Sequence, residues 1–325
     1  MFVMAVIQSI AESNTEDKCL FLFEEPESFL HENHQEYFYK SVLCGLAEKG
    51  HQVIYTTHSA KMIDPFDTKG IIRLEMDENN QTVKKYNNVE KFECRLGDTE
   101  TKELINNSKY NEFVKTIEPN LNRILFSKKV ILVEGPNDVL VYKYAISKKV
   151  LESIQYDDNI EDKNKYADTF LNFENISIIC HHGKTTALYL IELCKWFNLD
   201  YFVINDWDFD AKELNVETIS VFNSLEELKE AKVYVNSDKN KKAMITNNWN
   251  LINSAEIDKI HFNIKKLEDV IGYTRDDKNT LNIWDLLTSP DFIIKDNLFP
   301  EKLKIFLGLE KNDQQKIEEN DDLPF

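Results

Sequence analysis

Apolar residues along this chain fall in short runs separated by stretches of helix length. CLFLF (residues 19–23), QVIYTT (52–57) and IIRLE (71–75) read as strands. A helix from about Gln35 to Lys49 separates the first two, and MFVMAVIQSIAES reads as a helix ahead of them. Short apolar runs alternating with helical segments predict a parallel sheet covered by helices. Residues 77–126 are polar and mostly helix-forming, and read as a connector. A second alternation follows: KKVILVEG as strand, PNDVLVYKYAISKKV as helix, ISIIC as strand, KTTALYLIELCKWFN as helix and DYFVINDWD as strand. Pro136 suits the first turn of the first of these helices, where its missing N–H costs nothing. Residues 151–173 read as an exposed insertion, KIHFNI as a further strand and 265–309 as helical.

Composition narrows the class. At 325 residues the chain is long enough for about two ordinary domains. Its 20 Phe, 13 Tyr and 4 Trp supply packed cores. Only 8 Gly and 7 Pro exclude collagen-like, linker-rich and Gly-rich repeat architectures. Five cysteines, odd in number and without a CxxC pair, support neither a disulfide framework nor a zinc ribbon. No apolar run is long enough to span a bilayer, and a soluble cytoplasmic protein without membrane contact is expected. The last sixteen residues, with six acids and two lysines, read as a mobile tail. A net charge of −18 argues against broad electrostatic capture of nucleic acid. A polyanion would need metal ions or local basic patches, for which Lys143, Lys148, Lys149, Lys265 and Lys266 are candidates.

CLFLFEEPE sets Glu24 and Glu25 at the carboxyl end of an apolar strand, where open α/β sheets present ligand-binding groups. A strand ending in two acids is how nucleotide hydrolases hold Mg²⁺ and polarise water. QVIYTTHSA, the next strand, ends in His58 and Ser59. This order resembles the C-terminal half of an ABC-type ATPase, and EEPE with THSA looks like the OLD-family variety. The resemblance implies Glu24 as a metal-side acid, Glu25 as the water-activating base and His58 as a γ-phosphate sensor. A nucleotide site also needs GxxxxGK[ST], and no such loop precedes CLFLF. Gly183-Lys184-Thr185 is not one, since Ile178 stands where its first glycine belongs. The chain is therefore expected to bind ATP only if a Walker A half is supplied. It is read as a C-terminal fragment, half of a split protein or a degenerate ATPase.

In the second alternation, Glu134 ends a strand and Asp138 lies one turn into the next helix, while Asp206 and Asp208 end another strand and alternate with Trp207. Strand alternation puts the two aspartates on one side. Carboxylates converging at strand ends repel unless cations are bound, and hard oxygen ligands select Mg²⁺ or Mn²⁺. E-G-x-x-D, G-K and D-x-D in this order resemble a Toprim domain of the OLD-family nucleases. The resemblance implies Glu134, Asp206 and Asp208 as catalytic, with Asp138 and Glu268 completing a two-metal set and Gly183 and Lys184 at the substrate. It also implies a lysine beyond Glu268, for which Lys295, Lys302 and Lys304 are candidates. His181 or His182 could touch a substrate phosphate, although capping or surface roles are more ordinary.

The sequence thus leads to an α/β chain: an ABC-type lobe (residues 1–95), a helical connector (96–126), a Toprim domain with a Rossmann-like parallel sheet (127–270) and a helical extension with an acidic tail (271–325). The expected function is a divalent-metal-dependent DNA endonuclease regulated by ATP. Homodimers or higher oligomers, and a separately encoded ATPase half or defence-system partner, are the partners that the resemblance implies. The OLD family includes the Gabija nuclease subunit and retron-associated effectors, which implies antiviral defence. The rival from another class is a non-catalytic assembly subunit.

Overall fold

The computed structural model describes residues 18–63, 70–76, 81–87, 120 and 123–310. The expected helix at residues 1–13, nearly all of the connector and the acidic tail beyond Glu310 lie outside the described residues. The chain divides into two compact units, residues 1–93 with 121–126 and residues 127–325 with 94–120.

In the first unit β1 (Leu20–Glu24) and β2 (Gln52–Thr56) pair in parallel, with Leu20 opposite Gln52 and Glu24 opposite Thr56. Between them run α1 (Glu32–Tyr37), a π-helical stretch (Phe38–Leu43) and α2 (Cys44–Glu48). One sheet face carries Phe23, Val53 and Tyr55, which pack on Phe38, Leu43 and Met62. The alternate positions Leu20, Leu22 and Ile54 are exposed. The third expected strand, β3 (Ile72–Met76), does not extend this sheet. It pairs antiparallel with β4 (Thr82–Asn87), in a stretch whose polar composition suggested a connector.

The second unit is built on a four-stranded, all-parallel sheet in the order β6-β5-β7-β8. The strands are β5 (Lys129–Val133), β6 (Ile176–Cys180), β7 (Asp200–Asp206) and β8 (Ile260–Asn263). Helices cover both faces, which is why the strands read as unbroken apolar runs. On one face Ile131, Val133, Phe202 and Ile204 share a core with α3 (Pro136–Ser153) and α4 (Lys163–Phe173). On the other lie α5 (Lys184–Trp196) and, beyond three short helices α6 (Val216–Ser220), α7 (Leu225–Glu230) and α8 (Lys232–Val235), the long α9 (Lys239–Ala255). The Tyr201 hydroxyl ties β7 to the end of α9 by donating to the Ala255 carbonyl at 3.2 Å.

One expectation changes here. The supposed exposed insertion contains α4, capped by Asp162 and anchored by buried Ala167 and Phe170. The C-terminal stretch is helical, as expected, and joins the core. After α10 (Leu267–Ile271), α11 (Thr280–Leu287) and α12 (Glu301–Leu307) place Ile283, Leu287, Leu303 and Leu307 in the same core as β5. Among the described residues no helix is long and apolar enough to cross a membrane.

Candidate active site

Sequence-adjacent strands β5 and β6 are neighbours, whereas β7 lies on the opposite side of β5, so the crossovers diverge at the carboxyl end of β5. Open α/β sheets bind ligands at such a divergence. Glu134 is the first residue after β5. Its Oε2 accepts from the Asp206 backbone N–H at 3.2 Å and from the Asn205 amide Nδ2 at 3.0 Å. Gly135 caps α3, and Asp138 at the third helical position accepts from the Gly135 N–H at 3.0 Å. Gly135 is in ordinary extended backbone (φ −140°), and a Cβ there would stand 3.3 Å from Asp138 Oδ2. From the other side, the Leu267 N–H at the start of α10 donates to Asp206 Oδ1 at 2.9 Å, and Glu268 follows it into the core.

Burial and mutual repulsion govern the protons here. Burial first, then the charges of Asp138 and Glu134, push the Asp206 carboxyl up to about 8. Asp138 is pushed up to about 7 by burial, then by Glu134, with a smaller contribution from Glu268. Asp138 Oδ1 and Glu268 Oε2 are buried with no hydrogen-bond partner. The other Glu268 oxygen lies 3.2 Å from the Lys278 ammonium.

In the first unit, Glu24 ends β1, Glu25 follows it and the His58 ring lies just past β2, with Nε2 at 3.2 Å from Glu25 Oε1. Glu25 takes a left-handed backbone (φ +40°), and its N–H donates to the Thr56 carbonyl at 3.1 Å. The buried acid of this turn is Glu27, which accepts from the Thr57 hydroxyl and, at 3.2 Å, from the His58 N–H. Glu27 thereby braces the loop that carries His58, a role not legible in the sequence.

Comparison with known proteins bears on both units. Residues 125–208 match the family model of the Overcoming lysogenization defect protein-like TOPRIM domain, which spans Glu134, Asp138, Asp206 and Asp208. This stretch is similar to an OLD-like Toprim domain. Residues 1–63 match an AAA ATPase domain. The chain is similar to the Old nuclease of Escherichia phage P2, at 29% identity over 220 residues, covering 66% of this chain and 33% of the relative. It is also similar to the OLD nuclease of Thermus scotoductus (strain ATCC 700910 / SA-01), at 25% identity over 188 residues, covering 58% and 30%. The chain thus spans about a third of the length of these curated relatives.

Within the second unit, Asp208 stands apart from the other acids. β7 ends at Asp206, the Trp207 and Asp208 N–H groups donate to the Asn263 and Lys265 carbonyls at 2.9 and 2.8 Å, and Asp208 turns left-handed (φ +66°). Strand alternation therefore ceases before it can put Asp208 beside Asp206. The Asp208 carboxylate pairs instead with the Lys184 ammonium, which also donates to Asn248 Oδ1 at 2.7 Å. Gly183 has a φ of +145° and open space beyond its Cα, so backbone conformation favours glycine there. Trp207 is fully buried against Phe262, as a packing residue should be. The lysine at Glu268 is Lys278, which sequence reasoning missed. Lys302 donates to the Ile257 and Ile260 carbonyls and Lys304 pairs with Glu301 and Glu310.

All the acids in this neighbourhood offer hard oxygen donors, and two hold bare, buried oxygens, so their chemistry fits a divalent cation. Among the described residues, no three His, Cys, Asp or Glu side chains are drawn together closely enough to hold one as they stand.

Proposed function

We propose that this protein is a divalent-metal-dependent DNA endonuclease, with ATP acting through the first unit once a phosphate-binding half is supplied. The reading rests above all on the unpartnered oxygens of Asp138 and Glu268, buried beside Glu134 and Asp206 at the diverging sheet edge. Buried polar atoms without partners cost about 1–3 kcal/mol each, and a cation offsets that cost. The Toprim match and the nuclease names of the relatives support the same reading.

Glu134, Asp138, Asp206 and Glu268 would hold Mg²⁺ or Mn²⁺, with Asp208 available if Lys184 releases it. Such ions activate water for attack on a phosphodiester and neutralise the leaving oxygen. The chain's own part is to orient Glu134 through two N–H donors as general acid or base. Lys278 and Lys184 supply fixed positive charge beside the scissile phosphate, and burial of Asp138 and Asp206 keeps the site responsive to cation charge. By the same resemblance, Glu24, Glu25 and His58 would serve a nucleotide site, the protein would self-associate, and its biology would be antiviral defence.

Plasmid nicking with Mg²⁺ or Mn²⁺ tests the reading. Wild type should cut, and Glu134→Ala and Asp206→Ala should each lose at least about a hundredfold, the scale of removing a group that acts in the transition state. Equal inertness of all three proteins, with any companion polypeptide added, would favour the second reading. That reading is a non-catalytic assembly subunit, and the Lys184–Asp208 pair is the observation in its favour.

A further inference from the structure

Below the acids lie two buried asparagines with matching environments. Asn205, fully buried, donates through Nδ2 to Glu134 Oε2 at 3.0 Å, and its Oδ1 lies 3.1 Å from His181 Nε2. Asn263, also fully buried, points Nδ2 at Asp206 Oδ1 at 3.4 Å, while its Oδ1 accepts from the Tyr142 hydroxyl at 2.9 Å. His181 and Tyr142 are themselves without exposure. Each chain therefore runs from a buried ring donor through a carboxamide to a site carboxylate.

Amide orientation follows from the acceptors. Glu134 Oε2 already accepts from the Asp206 N–H and Asp206 Oδ1 from the Leu267 N–H, so the amide end facing each must be the NH₂. Both carbonyl ends then face the rings, which requires a proton on His181 Nε2 and donation by the Tyr142 hydroxyl. The remaining ring nitrogen, His181 Nδ1, faces the Gly183 backbone, with its N–H at 3.2 Å and its carbonyl at 3.0 Å. His181 thus links the glycine turn after β6 to the glutamate after β5, and Tyr142 links α3 to the aspartate ending β7.

We infer that His181–Asn205 and Tyr142–Asn263 are positioning relays that fix one oxygen each of the Glu134 and Asp206 carboxylates and leave the other to a cation, which draws the acids closer than they stand. A carboxylate free to rotate loses affinity through the entropy of reordering it. Partners behind metal ligands typically contribute about 10- to 100-fold in affinity. Neither ring needs to touch substrate or metal. The inference rests on the metal reading of the site.

The test is Mn²⁺ affinity of the full-length protein, measured from free-Mn²⁺ electron paramagnetic resonance, with thermal unfolding of the metal-stripped protein alongside. Tyr142→Phe and His181→Phe should weaken binding about tenfold or more. Asn205→Asp, which sets carboxylate against carboxylate, should weaken it further. His181→Gln, whose Nε2 occupies nearly the same place, should recover most of the affinity, which a purely space-filling role for His181 does not predict. If Glu134→Gln and Asp206→Asn lose Mn²⁺ but the folded relay variants bind like wild type, the relays are overturned while the metal reading survives. If Glu134→Gln binds like wild type, the metal reading fails and takes the relays with it. Should His181→Phe not fold, Tyr142→Phe, which loses only a hydroxyl, decides alone.

Discussion

Four acids at the carboxyl end of the sheet are balanced by a lysine or by a proton, while Glu134 is held by two N–H donors. Lys278 balances Glu268, and Lys184 balances Asp208. Asp138 and Asp206 keep their protons to about 7 and about 8 because burial and their neighbours oppose ionisation. Their ordinary value is 3.8, so the folded state binds more protons than the unfolded one across the intervening range. Stability from this source is full below pH 3.8 and is lost as pH rises through about 7 to 8. Buried His181 and His261, both held down to about 4 from 6.5, oppose this trend below pH 6.5. The thermal midpoint of metal-stripped protein should therefore fall between pH 6.5 and pH 8, and Mg²⁺ or Mn²⁺ should raise it most at the alkaline end. A midpoint that instead climbs over this range would mean that the carboxyls are not crowded. Asp138→Asn should flatten the slope.

The elements that sequence revealed best are those buried on two faces. β5, β6 and β7 stand out because helices on both sides leave no polar alternation, and Glu134 and Asp206 are legible because they follow apolar runs. Asp208 was harder to place, since its left-handed turn is imposed by carbonyls of Asn263 and Lys265, more than fifty residues away in the chain. Lys278 sits in a polar turn with no periodicity to mark it, and only folding brings it to Glu268. α4 was missed for a related reason: KNKYADTFLNF is largely polar and buries little beyond Ala167 and Phe170. That economy makes Phe170 costly to lose. Phe170→Ala should destabilise the protein by about 3–5 kcal/mol in urea unfolding, whereas Asp162→Ala, which removes only the cap, should cost about 1 kcal/mol. A cost for Phe170→Ala no larger than for the cap variant would mean that α4 contributes little to the core.

For the molecule as a whole, a net charge of −18 means that any attraction for a nucleic-acid backbone must be local. The second unit concentrates its strands, its core and its acids around β5, while in the first unit Leu20, Leu22 and Ile54 are exposed on one sheet face. β5 has a partner strand on each side and no exposed residue from Val130 to Val133. Its amide hydrogens can therefore trade with solvent deuterium only when the whole unit opens, whereas β8, at the margin, can fray alone. Isotope uptake at Val130–Val133 should follow the unit's global unfolding free energy one for one, with slower uptake there than at Ile260–Asn263. The strand that delivers Glu134 is thus also the natural place to clock how long the entire unit stays shut.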